Sequence, residues 1–168
     1  MTHQLPNAVG RKGGEVLPPE LMLEVINKVS DGWPEVWNSL RLTNHTWKFE
    51  VEKLFRQRHL PNLIIDVDLW HSRYEFRFKD FSDERATFVA KNYRIGPEDW
   101  KEIVSCLRCN SGDHFIICPE IRVVAQTELV ELQDDYEKKA LLIKWVPTVS
   151  ALFSEERKVR QLAREETK

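Results

Sequence analysis

The chain has 168 residues, of which 42% belong to the hydrophobic set and 31% are charged, a composition typical of a folded globular protein. Its 25 basic and 27 acidic residues are mixed along the chain and give a formal charge of −2. The sequence lacks the basic stripe that is typical of nucleic-acid-binding proteins, so we predict no nucleic-acid partner. No apolar run is long enough to span a bilayer, no secretory signal pattern is present, and three cysteines suit a reducing compartment, so we expect a cytoplasmic or nuclear protein without a membrane partner.

The N-terminal part of the sequence predicts a flexible leader over residues 1–16, followed by a helix from Leu17. Pro18 and Pro19 suit a first helical turn, and Glu20 lies near the positive end of the helix dipole. The helix has more apolar surface than an ordinary amphipathic helix, about half of its circumference. The apolar residues that follow Pro19 are Leu21, Met22, Leu23, Val25, Ile26 and Val29.

Two further helices are predicted before residue 60. SDGWPE at residues 30–35 is typical of a turn, and the segment after it contains apolar residues at helical spacing: Val36, Trp37, Leu40 and Leu42. A third helix is predicted from Asn44 to Arg58, with one apolar side formed by Trp47, Val51, Leu54 and Phe55.

After residue 60 the spacing of apolar residues changes to the alternation that is typical of strands. Strands are predicted at residues 63–69, 73–81 and 84–93, and the short link between the first two indicates an antiparallel pair. A helix is predicted over residues 96–107 and strands in HFIIC and IRVVAQT. From Asp134 through Trp145 we predict another helix, which breaks near Pro147.

These elements predict an α+β fold: a three-helix module followed by a small mixed domain with an antiparallel sheet. The expected divisions are a leader (1–16), a helical module (17–60), an α+β domain (61–153) and a charged C-terminal helix (154–168). In that last helix, Glu156 and Arg160 have the spacing of an ion pair.

The helical module resembles the F-box, a short motif of substrate receptors in cullin–RING ubiquitin ligases. Two segments carry the resemblance, LPPELMLEV at residues 17–25 and SLRLTNHTW at residues 39–47. It covers residues 17–58, about a quarter of the chain. The matching positions are the opening Leu17, Pro18 and Glu20, the apolar pair Val25 and Val29, the paired Leu40 and Leu42, and the closing Trp47. Two departures are a longer turn between the segments and Thr43 where Val is commonest; both put the strength of partner binding in question.

The resemblance implies that the module binds a Skp-type adaptor and that the rest of the chain recruits a protein substrate for ubiquitination. It implies no catalytic residue and no cofactor. The partner-binding residues that it implies are Leu17, Pro18, Glu20, Leu21, Met22, Val25, Ile26, Val29, Leu40, Leu42 and Trp47. The alternative is a plain interaction module, in which the first helix buries its apolar surface against the chain's own strands.

A second alternative is a small zinc- or nucleic-acid-binding protein. Cys106, Cys109, His114 and Cys118 have the spacing C-x2-C-x4-H-x3-C, one residue short of a zinc knuckle. Against zinc, Cys106 fits the apolar side of the predicted helix and Cys118 lies in an apolar run. Buried free cysteines are ordinary core residues, and core positions are our prediction.

The sequence contains no motif that predicts an enzyme. Asp66 and Asp68 have the D-x-D spacing of a metal–nucleotide site, but the same alternation is typical of a strand with a solvated face. Phosphate-binding loops and nucleophile motifs are missing from the sequence. Five tryptophans are candidates for interface anchors, although most are expected in the core: Trp33, Trp37, Trp70, Trp100 and Trp145.

Overall fold

The computed structural model describes residues 17–29, 32–92, 94–109 and 114–166. Within these ranges the helices are α1 (Pro19–Lys28), α2 (Trp33–Asn38), α3 (His45–Arg58), α4 (Pro97–Cys109) and α5 (Trp145–Glu166). The strands are β1 (Ile64–Leu69), β2 (Ser72–Ser82), β3 (Arg85–Ala90), β4 (His114–Cys118), β5 (Val123–Ala125), β6 (Gln133–Asp135) and β7 (Ala140–Lys144). The predicted α+β class is confirmed, and the predicted leader lies outside the described residues.

All seven strands form one antiparallel sheet in the order β5-β4-β1-β2-β3-β7-β6. The predicted pairing of β1 with β2 is confirmed, with Ile64 opposite Arg77 and Leu69 opposite Ser72. Short three-residue strands, β5 and β6, form the two edges of the sheet.

One face of the sheet carries the core, because alternate residues of each strand point to the same side. Phe76 lies opposite Ile65 in the sheet register, and both are fully buried. The helices α4 and α5 pack on this face: Trp100 of α4 contacts Phe76 edge-on, and Leu152 of α5 belongs to the same core as Ile65. The buried strand residues on this face include Val67, Phe88, Ile116, Leu141 and Ile143.

Two of the helices before residue 60, α1 and α3, begin at residues that favour a helix N-terminus. Asn44 precedes α3, and its side-chain oxygen accepts a hydrogen bond from the backbone amide of Trp47 at 3.0 Å, which is an N-cap. In α1, Pro19 occupies the first helical position, where its missing amide donor costs nothing. The second predicted helix is divided into α2 and a 3₁₀ turn at Leu40–Leu42.

Four aromatic side chains join the first helices to the last one, and we call Trp37, Phe55, Trp145 and Phe153 the aromatic junction. The ring centroids of Trp37 and Phe55 are 5.1 Å apart, and those of Phe55 and Phe153 are 5.7 Å apart. The Trp37 indole also donates a hydrogen bond to Ser150 Oγ at 2.9 Å. The buried residues of α2, α3, the strands and α5 consequently form one core, which includes residues from both before and after residue 60.

The predicted helix from Asp134 to Trp145 is wrong. The segment forms strands β6 and β7, joined by a turn in which Lys139 has a positive φ of 50°. Pairing of β7 with β3 places Leu141 opposite Phe88 in the core and overrides the helix propensity of the charged residues. Pro147 does not break a helix, because it lies in the first turn of α5, where proline is tolerated.

The charged C-terminal segment is helical as predicted, and it is the second half of α5 up to Glu166. The Arg160 Nε donates to Glu156 Oε1 at 2.8 Å, which confirms the predicted pair. None of the helices in the described part of the chain combines the length and the apolar content that crossing a bilayer requires.

The aromatic junction predicts a large difference between two phenylalanines of α3. Phe55→Ala is expected to lower the free energy of unfolding by about 3–5 kcal/mol, because it leaves a cavity among buried rings. Phe49→Ala is the matched control on the same helix and is expected to change it by less than about 0.5 kcal/mol, because Phe49 is exposed. Urea denaturation of both variants measures the difference; similar losses for the two would contradict this account of the core.

Candidate functional site

The first helix divides its apolar surface between the chain's own core and solvent. Met22 and Ile26 are buried, whereas Leu17, Leu21 and Val25 are 42%, 44% and 38% exposed. Leu21 and Val25 are four apart in sequence and lie on one side of α1, and Leu17 lies just before the helix, which begins at Pro19. We call Leu17, Leu21 and Val25 the α1 row. α1 itself packs against α3.

The other residues that the F-box resemblance implied have different surroundings. Leu42 is 68% exposed on the 3₁₀ turn, and Pro18 and Glu20 are exposed beside the α1 row. Val29, Leu40 and Trp47 are partly buried and pack against the core. The structure therefore keeps only some of the implied residues on the surface, and Met22 and Ile26 are not among them.

Phe49 is an exposed aromatic residue of α3 that the sequence analysis did not select. Its side chain is 63% exposed, and Lys53 Nζ lies 5.8 Å from its ring centroid. The position of Phe49 between Trp47 and Val51 could have identified it, since it falls off the buried side of the helix.

An ion pair fixes the 3₁₀ turn that presents Leu42. Arg41 Nε donates to Glu52 Oε1 of α3 at 2.8 Å, and both side chains are partly buried. The Arg41 guanidinium also lies 4.8 Å from the Trp37 ring centroid, a cation–π geometry. These two contacts tie the turn to α2 and α3 and hold Leu42 in a fixed position.

A buried histidine lies where the helices meet the sheet. His59 follows α3, packs edge-on against Trp33 at 4.6 Å, and its Nδ1 lies 3.0 Å from Glu120 Oε2. Burial lowers the pKa of His59 from its ordinary value of 6.5, and the nearby Glu120 carboxylate opposes this effect by raising it. His59 Nε2 is buried without a hydrogen-bond partner in the described structure, so a proton there is poorly accommodated.

The four residues of the zinc alternative, Cys106, Cys109, His114 and Cys118, are not brought together as a metal site. Cys106 and Cys118 are buried, Cys109 is exposed, and His114 Nε2 lies 2.9 Å from the carbonyl oxygen of Thr127. Desolvation raises the pKa of the Cys118 thiol to about 11, which keeps the thiol protonated at neutral pH. Across the described residues, no three histidine, cysteine or acidic side chains are grouped as a metal site would need.

Asp66 differs from its prediction as a solvated strand residue, because it is buried. Arg73 Nε donates to both carboxylate oxygens of Asp66 at 2.8 Å, and this contact raises the pKa of the guanidinium. Asp68 is exposed. The two carboxylates therefore do not act as a pair, and Asp66 is a structural residue of the sheet.

A groove of about 400 Å³ lies between α3 and the β2–β3 hairpin. Its lining mixes both charges, with Lys48, Arg56 and Lys144 beside Glu52 and Glu84. No cysteine, serine or histidine lines it, so the groove does not contain a Ser–His or Cys–His pair.

Comparison of the chain with models of known protein families, with curated proteins and with solved structures finds no match. In the described structure, Leu21 and Val25 are exposed on α1 with Leu17 just before it, and α5 also carries two exposed apolar residues, Val159 and Leu162.

The environment of His59 predicts that stability depends on pH. Because its pKa is lower in the folded than in the unfolded protein, the unfolded state binds the proton more tightly. The free energy of unfolding should therefore fall as pH decreases from about 6.5 toward the folded-state pKa. Urea denaturation at several pH values measures this slope, and His59→Gln should flatten it.

Glu120→Gln is the matched test, since it keeps the hydrogen-bonding side chain but removes its charge. The pKa of His59, followed by NMR titration of the ring, should fall further in this variant and extend the loss of stability to lower pH. A pKa of His59 that rises in Glu120→Gln would contradict the assigned roles.

The separated cysteines predict insensitivity to chelators. EDTA should leave the thermal midpoint unchanged, and Cys109→Ser should be neutral because Cys109 is exposed. Cys118→Ser should lower the free energy of unfolding by about 1–3 kcal/mol, since it buries a hydroxyl among apolar groups. Thermal scans with and without EDTA test this; a chelator-induced drop that Cys109→Ser abolishes would restore the zinc alternative.

Proposed function

We propose that the chain is an F-box-like adaptor whose first helices bind a Skp-type subunit and whose remaining residues recruit a protein target for ubiquitination. The observation that carries the proposal is the α1 row: Leu17, Leu21 and Val25 remain exposed at the start of α1, where the sequence has the Leu-Pro-x-Glu pattern. The implied mechanism is proximity, which requires no catalytic residue. It would operate in the cytoplasm or the nucleus.

The geometry narrows the interface that the resemblance implies. Met22 and Ile26 are buried inside the chain and can position α1 but cannot contact a partner directly. The direct contacts in this proposal come from the α1 row and the adjacent exposed Pro18 and Glu20, together with Leu42 on the 3₁₀ turn.

Energetics indicate how much partner surface is needed. Full burial of a leucine or valine stabilises by roughly 1.5–3 kcal/mol, so covering side chains that are about 40% exposed contributes roughly 0.6–1.2 kcal/mol each. The α1 row would supply about 2–4 kcal/mol, which is below the cost of association of at least about 4 kcal/mol. The complete interface therefore needs further contacts, and the exposed apolar residues Leu42 and Phe49 are the candidates for them.

One observation favours the rival, a plain interaction module. The aromatic junction makes α2 and α3 part of the same core as the sheet, so this region does not need a partner in order to fold. The two functions differ in one measurable property: the adaptor binds a Skp-type subunit through the α1 row, whereas the plain module does not.

The adaptor function predicts a selective loss of binding. Leu21→Glu combined with Val25→Glu should abolish capture of a purified Skp-type subunit, because it places two charges in the apolar contact. The same variant should keep its thermal midpoint, since both side chains are exposed in the free protein. Affinity capture followed by calorimetric titration measures the interaction.

The matched control is Val159→Glu combined with Leu162→Glu, which places two charges on exposed apolar residues of α5. This control should bind the subunit like the wild type. Equal capture of the wild type and the α1-row variant would refute the proposed interface, and no capture of the wild type would favour the plain interaction module.

A further inference from the structure

A single tryptophan stands fully outside the fold at the tip of a hairpin. Leu69 pairs with Ser72, so Trp70 and His71 form the two-residue turn between β1 and β2. Trp70 is 99% exposed. The other five tryptophans of the chain are buried or partly buried: Trp33, Trp37, Trp47, Trp100 and Trp145.

Folding does not account for a tryptophan at this position. At 99% exposure its indole contributes almost nothing to the core, although tryptophan has a large apolar surface. The turn itself is rigidly supported, because β1 and β2 pair over six successive positions from Ile64 to Leu69. A large aromatic group on a rigid support is the form that interface anchors take, since little conformational entropy is lost on binding.

Contacts beside the turn fix the surroundings of Trp70. His71 Nε2 lies 3.5 Å from Asp99 Oδ1 of α4, and the Tyr74 hydroxyl donates to Asp99 Oδ2 at 2.9 Å. Within the β1–β2 pair, Asp68 lies opposite Arg73 in the register, and Arg73 donates a hydrogen bond to Asp66.

The charge around the tip is negative. Six acidic residues lie on β1, on β2 and on the first turns of α4, namely Asp66, Asp68, Glu75, Glu98, Asp99 and Glu102. Four basic residues pair with members of this set: Arg73 with Asp66, Arg77 and Lys91 with Glu75, and Lys101 with Glu98. Six negative and four positive charges leave a surplus of two negative charges, histidine not being counted. Such a surface repels phosphate groups of nucleic acids and acidic lipids, and it attracts basic peptides.

We propose that the β1–β2 hairpin tip docks a basic segment of a partner protein, with a lysine or arginine side chain over the Trp70 indole and its charge facing Asp68. A cation over the face of tryptophan is the strongest of the protein cation–π pairs, and a nearby carboxylate selects for it. That this segment belongs to the substrate for ubiquitination rests on the proposed function. The binding of a basic segment to Trp70 does not depend on that function.

The test uses the full chain labelled with 5-fluorotryptophan, in which Trp70→Phe assigns the Trp70 resonance in the fluorine NMR spectrum. The probe is a short acetylated peptide of alternating lysine and serine, titrated at physiological ionic strength. The Trp70 resonance should shift with saturation. Trp70→Ala should weaken binding about three- to tenfold, and Asp68→Asn about two- to threefold.

The controls separate this site from general attraction between opposite charges. Phe49→Ala removes another exposed aromatic residue, and Glu128→Gln removes another exposed acidic charge; both should bind the lysine peptide like the wild type. All variants alter exposed residues and should keep the wild-type thermal midpoint.

Three further probes give the opposing outcomes: a glutamate–serine peptide, a short oligothymidylate and phosphatidylserine vesicles. Equal lysine-peptide binding by wild type and Trp70→Ala, or tighter binding of any of these three probes, would overturn the proposal. Trp70→Ala leaves the α1 row intact, so failure here is distinguishable from failure to capture the Skp-type subunit.

Discussion

The aromatic junction is the contact on which the rest of the structure depends. Trp37 and Phe55 come from the first helices, and Trp145 and Phe153 come from the last one; their rings interlock at centroid separations of 5.1–6.3 Å. Because this cluster is buried, it holds the helices from both ends of the described chain against one sheet. The same packing determines where α1 lies and which helices cover the sheet.

The packing also explains how α1 shows two kinds of apolar surface. A helix with apolar residues on half of its circumference can bury only those residues that face neighbouring elements. Met22 and Ile26 occupy that side, and the α1 row lies outside it. A helix is thereby held in place by one set of residues while another set stays available, so that docking would require no rearrangement of the core.

Local patterns predicted most of the elements, while long-range pairing decided those that were missed. The proline pair at the start of α1, the cap at Asn44 and the alternation in Tyr74, Phe76 and Phe78 are local, and their elements are confirmed. The β6–β7 hairpin depends on Leu141 meeting Phe88, more than fifty residues away, which no window of sequence contains. For the same reason the burial of Asp66 beside Arg73 and the exposure of Trp70 emerged only from the sheet register. The short WHS link in the sequence indicated an antiparallel pair but did not show that Trp70 would be exposed. The α1 row is intermediate: its helix was predictable, but which side would stay uncovered depended on the position of α3.

The two edges of the sheet have a consequence for self-association. Unpaired strand edges invite other chains to add to a sheet and build aggregates, and long flat edges are the most hazardous. Here the long strand β2 is central, and only the three-residue strands β5 and β6 form the edges. A strand from another chain would find few unpaired backbone groups at these edges. The protein can therefore resist aggregation through its sheet although it has exposed leucines and an exposed indole.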